Sequence, residues 1–325
     1  MRELDVERVP VRIERSGLNP WVDLALLARY RSLLKRLRPA AFLSYTIKPN
    51  IYGSWAAGQL GIPAIPNVSG LGTAFMRPGP LQQIVSRLYR IGFRRAPQVF
   101  FQNDEDRTLF IERRLVRSEQ TRVIPGSGVD LTYFMPAPLV DGPPIFLLIG
   151  RLLRDKGVVE FVEAARSLRR EFPGARFQLL GPIDEGNRSA VSKVELDSWV
   201  KEKSVEYLGS TDDVRPFIAA ATTIVLPSYR EGLPRSLLEA AAMERPLIAA
   251  DVAGCREVVE DGLNGYLCTV QDAASLAASM KRLAQLPAER RIAMGRQGRA
   301  RVQDRFSEEL VIRAYLDVLG GLNSV

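Results

Sequence analysis

The chain has 325 residues, enough for two domains of ordinary size, and its 46% hydrophobic and 25% charged residues are those of a globular, not a disordered, protein. It has no histidine, which removes Ser-His and Cys-His nucleophile chemistry and His-ligated metal sites, and its two cysteines, Cys255 and Cys268, lack metal-like spacing, which excludes a disulfide scaffold and points to a reducing compartment. The net charge of +8 is uneven: residues 1–137 hold 20 Lys/Arg against 11 Asp/Glu, and residues 138–325 hold 25 against 26, so the basic first part suggests an anionic partner.

No recognisable nucleic-acid-binding motif is present, so no nucleic acid is expected and pyrophosphate or anionic lipid fits that charge better. The opening Met1-Arg2-Glu3-Leu4-Asp5 is not a signal peptide and no run of 18 apolar residues exists; the expected location is cytoplasmic, with contact to a membrane surface left open. In chain order, Val9 to Ile13 predicts a strand, Ser16 to Pro20 a turn, and Trp21 to Arg38 an amphipathic helix with Leu24, Leu27, Leu33, Leu34 and Leu37 inside. Pro39 to Tyr45 predicts a strand, Thr46-Ile47-Lys48-Pro49-Asn50 a loop into a small-residue helix over Trp55 to Leu60, and Ile62 to Val68 a third strand ending in Ser69-Gly70-Leu71-Gly72. That last loop lacks the third glycine of a dinucleotide fingerprint and by itself is a tight turn.

Residues 77–95 place Leu81, Ile84, Val85, Leu88 and Ile91 at helical spacing among Arg87, Arg90, Arg94 and Arg95. Such a basic amphipathic helix can lie on an anionic membrane or pack its apolar side into a core. Ala96 to Asn103 predicts a strand, Asp104 to Arg117 a helix capped by Asn103 or Asp104, and Thr121 to Ile124 a strand running into Pro125-Gly126-Ser127-Gly128-Val129-Asp130. Pro136 to Pro144 is proline-rich and aperiodic, a linker. The alternation then restarts: strands over Ile145 to Ile149, Arg176 to Gly181, Val205 to Gly209, Thr222 to Pro227, Pro246 to Asp251 and Gly262 to Leu267, with helices over Val158 to Phe172, Asp213 to Ala220, Ala273 to Ala284, Pro287 to Arg305 and Ser307 to Leu319. Strand and helix alternating twice over predicts two doubly wound parallel sheets, an α/β fold.

The most informative stretch is Tyr229-Arg230-Glu231-Gly232-Leu233-Pro234-Arg235-Ser236-Leu237-Leu238-Glu239-Ala240. A strand stopped by a proline is followed by a glycine turn and a helix start, whose unpaired N–H groups and positive dipole end suit an anion. Phosphates would repel Glu231, so it makes better sense against sugar hydroxyls, while Glu239, about two turns into the helix, reaches toward a ribose diol. The string Glu, seven residues, Glu resembles the signature of the retaining glycosyltransferases of family 4, and Gly150-Arg151-Leu152-Leu153-Arg154-Asp155-Lys156-Gly157 resembles the same family's Gly-Arg…Lys-Gly motif. Lys48-Pro49-Asn50 and Ser69-Gly70-Leu71-Gly72 are similar to loops of a subgroup that elongates polyprenyl-diphosphate sugars in bacterial polysaccharide assembly.

The resemblance implies the GT-B architecture, two Rossmann-like domains facing across a cleft, with an acceptor-side domain over 1–137, a donor domain over 138–305 and a terminal helix over 306–325 returning toward the first. Family members carry a further strand, glycine loop and long helix at the front, so the expected first domain is incomplete at its N-terminus. The implied reaction is transfer of a hexosyl or N-acetylhexosaminyl group from a nucleotide-diphosphate sugar, UDP-linked, to a lipid-linked sugar, with no cofactor and no metal. Glu231, Arg151 and Lys156 are the implied catalytic set, the two cations holding the diphosphate leaving group. Glu239, Gly150, Gly232, Leu233, Pro234, Ser236, Leu237 and Tyr207 are implied to bind the donor, and Lys48, Asn50, Gly70 and Gly72 to line the acceptor side. Many family members place a histidine near the donor sugar; here Lys48 or a backbone group would have to replace it. The alternatives are a nucleotide-sugar-binding protein without turnover and, against the absent histidine, a nucleotide-sugar epimerase.

Overall fold

A computed structural model describes residues 6–13, 19–71, 75 and 79–322. Two compact units make up the chain: one of residues 1–100 and 108–122, the other of residues 101–107 and 123–325.

The first unit contains a sheet ordered β1-β2-β3-β4, of Phe42–Tyr45, Ala64–Val68, Val99–Phe101 and Thr121–Val123. β1 and β2 run parallel. Helices α1 (Pro20–Leu37), α2 (Ser54–Gln59) and α3 (Pro80–Phe93) connect them, with a π-helical turn at Pro49–Gly53 ahead of α2, and α4 (Asp104–Glu112) has its first turn, through Arg107, in the second unit and its remainder in the first. Val9 to Ile13 forms no strand. The face that α1 turns inward also differs from expectation. Asp23, Leu26, Tyr30 and Leu34 are its buried residues, whereas Leu24 and Leu37 are exposed and Leu27 and Leu33 half-buried. Asp23 tolerates burial because Lys48 and the Tyr52 hydroxyl, far along the chain, both donate to its carboxylate, at 2.7 and 2.9 Å. Gly72 and the segment Ser16-Gly17-Leu18 lie outside the described residues.

In the second unit six parallel strands are ordered β10-β9-β8-β5-β6-β7: β5 (Ile145–Ile149), β6 (Arg176–Leu180), β7 (Glu206–Tyr207), β8 (Thr223–Leu226), β9 (Leu247–Ala250) and β10 (Gly265–Cys268). The apolar runs that predicted β5, β8 and β9 are buried along almost their whole length, as strands covered on both faces must be. Read from its first strand, this is the 3-2-1-4-5-6 order of a dinucleotide-type sheet, in which the direction of winding reverses between β5 and β8. Helices α5 (Val158–Leu168), α7 (Arg215–Ala220), α8 (Arg235–Ala242), α10 (Ala273–Ala284), α11 (Ala288–Arg305) and α12 (Glu308–Leu322) correspond to expected elements. Two more, α6 (Lys193–Lys201) and α9 (Ala253–Val258), fall outside the expectation. No helix among the described residues is long and apolar enough to cross a membrane.

Arg245 ties the second unit together from inside. It has no exposed surface, and its guanidinium donates to the carbonyls of Ile218 and Ala219 at the end of α7 and of Ala137 and Pro138 in the linker, all at 2.8–2.9 Å. Removing the fork takes from these carbonyls a charged donor, and among the described residues only that of Ile218 keeps a second one, the Ala221 N–H at 3.2 Å. Arg245→Met is therefore expected to lower unfolding stability by about 2–4 kcal/mol, with Arg245→Lys recovering only part of it, read as a drop in the urea midpoint at unchanged slope.

Candidate active site

Ligands of open parallel sheets bind outside the carboxyl ends of the strands where the winding reverses. Here that point lies between the segment after β5, Gly150 to Gly157, and the segment after β8, Pro227 to Pro234. The two segments are stitched together: Tyr229 N–H donates to the Asp155 carbonyl at 2.9 Å, and the Tyr229 hydroxyl to Glu160 at 2.7 Å. Gly157 has φ +71°, and a Cβ there would stand 2.2 Å from the Pro227 carbonyl oxygen. The Lys-Gly pair is thus a steric requirement of the close approach.

That approach brings Lys156 and Glu231 together. The Lys156 ammonium donates to Glu231 Oε1 at 2.5 Å, with side-chain exposures of 25% and 11%. Arg151, from the same segment, pairs instead with Asp184 at 2.8 Å, and its side chain is half exposed. A Cβ on Gly150 would meet nothing within 4 Å, so there is open space beside the end of β5. Gly232, Leu233 and Pro234 are buried. Pro234 caps α8, and the helix proper begins at Arg235 and Ser236; Leu237 N–H bonds back to the Pro234 carbonyl at 3.2 Å.

Glu239 sits in the second turn of α8 and is 9% exposed. Burial pushes its carboxyl upward from the usual range, and Arg235, donating from 3.1 Å, opposes that shift. Glu239 and Arg235 line a cavity of about 500 Å³ with Ser127, Gly128, Asp130, Tyr133 and Asp213 among its walls. The Arg215 guanidinium lies 3.7 Å above the centre of the Tyr133 ring beside it. Glu231, Lys156 and Arg151 do not line this cavity. Tyr207 directs its hydroxyl to the Gly181 carbonyl, 3.1 Å away. Among the described residues, no group of three or more carboxylates or thiols is arranged to hold a metal ion.

Comparison with known proteins gives these motifs a family. Residues 143–285 match the model described as glycosyl transferases group 1, and residues 1–126 match a glycosyl transferase 4-like domain. The N,N'-diacetylbacillosaminyl-diphospho-undecaprenol alpha-1,3-N-acetylgalactosaminyltransferase of Campylobacter jejuni is 30% identical over 301 residues, 87% of this chain and 78% of that one. The chain belongs to glycosyltransferase family 4. The UDP-Gal:alpha-D-GlcNAc-diphosphoundecaprenol alpha-1,3-galactosyltransferase of Escherichia coli is 25% identical over 80% of this chain and 70% of its own length. HepE of Anabaena in complex with UDP superposes with a TM-score of 0.75 at 21% identity, covering 91% of this chain and 82% of that one. Sucrose-phosphate synthase of Thermosynechococcus elongatus superposes with a TM-score of 0.78 at 22% identity, over 95% and 81% of the two chains. The fold is of the GT-B type, with two parallel-sheet α/β domains.

In the first unit of this glycosyltransferase, Lys48 and Asn50 occupy the segment following β1. Asn50 is buried; it accepts from Ser44 Oγ at 2.8 Å and donates to the Asn67 carbonyl at 2.8 Å, so its polar atoms link β1 to the end of β2. The Lys48 side chain keeps 14% exposure beside Asp23. Gly70 has φ +131°, which favours glycine. Sequence reasoning did not assign Asn103 and Asp106 to the site's surroundings, although Asn103 stood out as a cap. Their partners, Gly232 and Arg230, lie more than 120 residues away, and no local pattern announces such a pairing.

The raised Glu239 carboxyl has a sign that can be checked. A carboxyl whose folded pKa exceeds its ordinary value of 4.5 favours the fold below that pH and loses the benefit as pH rises through the raised folded value. Glu239→Gln is therefore expected to raise the unfolding midpoint at pH 7 and to flatten its acid dependence.

Proposed function

We propose that this enzyme is a retaining, metal-independent glycosyltransferase that moves a hexosyl or N-acetylhexosaminyl group from a UDP-sugar to a sugar carried on a polyprenyl diphosphate. The observation that carries the reading is the Lys156–Glu231 pair at the reversal point of the second sheet. A cation and a carboxylate held side by side suit the two ends of a sugar diphosphate: the ammonium meets phosphate oxygens and the carboxylate accepts from sugar hydroxyls. An ammonium has three donors, so Lys156 can keep Glu231 while engaging phosphate. Arg151 is freed from Asp184 at little cost, since exposed ion pairs are weak. The Campylobacter and Escherichia relatives, named for transfer to diphospho-undecaprenol sugars, support such a sugar as acceptor, and the UDP in the HepE structure supports the donor class.

In this reading the bond between the anomeric carbon and the diphosphate breaks while the acceptor oxygen approaches on the same face. A phosphate oxygen of the leaving group takes the acceptor hydroxyl's proton, and Lys156 and Arg151 stabilise the charge that develops there. Glu239 accepts from the ribose diol. Gly150 leaves room for the diphosphate, and the N–H groups at Arg235 and Ser236, with Gly232 to Leu237 around them, complete the donor cradle. Tyr207 borders the nucleobase, and Lys48, Asn50 and Gly70 form the acceptor side. Glu231→Ala is expected to reduce transfer of labelled sugar into the lipid phase by about 10²–10³-fold with UDP binding retained, and EDTA should leave the wild-type rate unchanged. Wild-type rates in Glu231→Ala would sink the assignment, and UDP binding without any transfer by the wild type would favour a binding protein.

A lipid-linked acceptor requires access to a membrane surface, and α3 supports peripheral contact with anionic lipid at the inner face of the cytoplasmic membrane. Val85, Tyr89 and Phe93 point inward, leaving Leu81, Ile84 and Ile91 exposed in a strip that runs beside exposed Arg87 and Arg94. Arg90 and Arg95 are engaged by the carbonyls of Arg113, Arg114 and Gly58. Ile84→Glu and Arg87→Glu should each weaken binding to phosphatidylglycerol vesicles by about fivefold or more in a sedimentation assay, with no effect on UDP affinity.

A further inference from the structure

Both chain neighbours of Glu231 are held by one helical turn. Asp106, whose side chain is 1% exposed, accepts from Arg230 Nη2 at 2.5 Å. Asn103, also buried, donates through Nδ2 to the Gly232 carbonyl at 2.8 Å. The two holders are themselves joined: Asn103 Oδ1 caps the Asp106 N–H at 2.7 Å, and Asn103 Nδ2 lies 3.3 Å from Asp106 Oδ2. Beside them Glu105 pairs with Arg256 of α9 at 2.7 Å. From the other side, a Cβ on Gly254 of α9 would stand 2.3 Å from the Gly232 oxygen. The Gly232 peptide is therefore gripped between an amide donor and a bare α-carbon, and it has little room to rotate.

We propose that Asn103 and Asp106 are positioning residues for the sugar-binding carboxylate: the first turn of α4 fixes the backbone on both sides of Glu231 and so sets where its carboxylate points. The inference rests on the reading of Glu231 as facing the donor sugar. A turn that merely filled space would need neither a buried carboxylate nor an amide aimed at a carbonyl. Burying Asp106 raises its carboxyl pKa, and Arg230 works against that rise, so the charged form is held by its partner. Neither residue touches Lys156 or the cavity beside Glu239 in the contacts described, so loss of the grip should misdirect Glu231 without emptying the nucleotide site.

The test is a cycle of Asp106→Asn, Arg230→Gln and the double variant in the full chain, with Asn103→Ala alongside. Each is assayed for UDP affinity, for KM and kcat with UDP-sugar, and for amide hydrogen exchange in residues 228–238. Expected are at least tenfold losses of kcat in the single variants, UDP affinity and donor KM within about twofold, and faster exchange confined to that segment, since small displacements of a positioning group fall on turnover. The double variant, in which two amides replace the ion pair, should recover part of kcat. Unchanged kcat or unchanged exchange in Asp106→Asn overturns the proposal. So does a loss of kcat and UDP binding together that the double variant does not repair, which marks a purely structural role. If the segment loosens but the wild type transfers no sugar, the transferase reading fails and the grip on the backbone stands.

Discussion

The contact between Gly157 and the Pro227 carbonyl is the constraint on which the meeting of Lys156 and Glu231 depends. Strand order alone brings the ends of β5 and β8 side by side, but side by side still leaves room for a methyl group, and here there is none. Gly157 serves twice, as the left-handed residue that turns the chain into α5 and as the bare spot against which the β8 exit lies. With the two backbones this close, a side chain on either reaches the other directly, which is how Lys156 meets Glu231 across 75 residues of sequence. Gly181 repeats the device one strand along: a Cβ there would stand 1.9 Å from the Gly150 carbonyl oxygen. At Gly157 and Gly181 the strand ends are thus packed backbone on backbone.

The charges around these strand ends are arranged in pairs of unequal strength. Lys156–Glu231 and Arg230–Asp106 each have a largely buried carboxylate, whereas Arg151–Asp184 has its cation half exposed. Exposed pairs exchange partners easily, and buried ones do so only when a new partner replaces the old. The gradient makes Arg151 the mobile cation and Lys156 the fixed one. It also shows that in a stretch of chain nearly neutral overall the positive charge is local, each cation here carrying its own counter-charge.

How far the sequence discloses this depends on whether the cause is local. Ile145–Ile149 reads as a buried strand from composition alone, and the Glu231 to Glu239 spacing sets both carboxylates around one helix start whatever the rest of the chain does. The inward face of α1 is different. Periodicity favours Leu24 and Leu37, but Asp23 turns inward because Lys48 and Tyr52 await it, and partners 25 and 29 residues away leave no mark on a helical pattern. Helix α6 did carry a local sign, since Ser192 and Glu195 form a reciprocal capping box. Helix α9 carried none: it has no side-chain cap, and the close approach of its Gly254 to Gly232 is a tertiary fact. Val9 to Ile13 has the composition of a strand but no ladder to join, and composition cannot supply a neighbour.

The same division between local and tertiary causes governs α8, the eight-residue mount of Glu239. Too short to be stable by itself, it is immobilised from both ends. Beyond its C-terminus, Arg245 binds backbone carbonyls of α7 and the linker, Arg299 of α11 donates to the carbonyls of Ala242 and Phe134, and a Cβ on Gly295 would stand 2.0 Å from the Glu244 oxygen. Ahead of its N-terminus, Asn103 and Asp106 hold Gly232 and Arg230. Leu237, Leu238 and Ala240 to Ala242 between them are fully enclosed. A carboxylate on so confined a helix keeps its position while its charge is poorly solvated, which is why burial raises the Glu239 carboxyl above its ordinary range. The rigidity of the mount and the raised carboxyl therefore have one origin, the burial of α8.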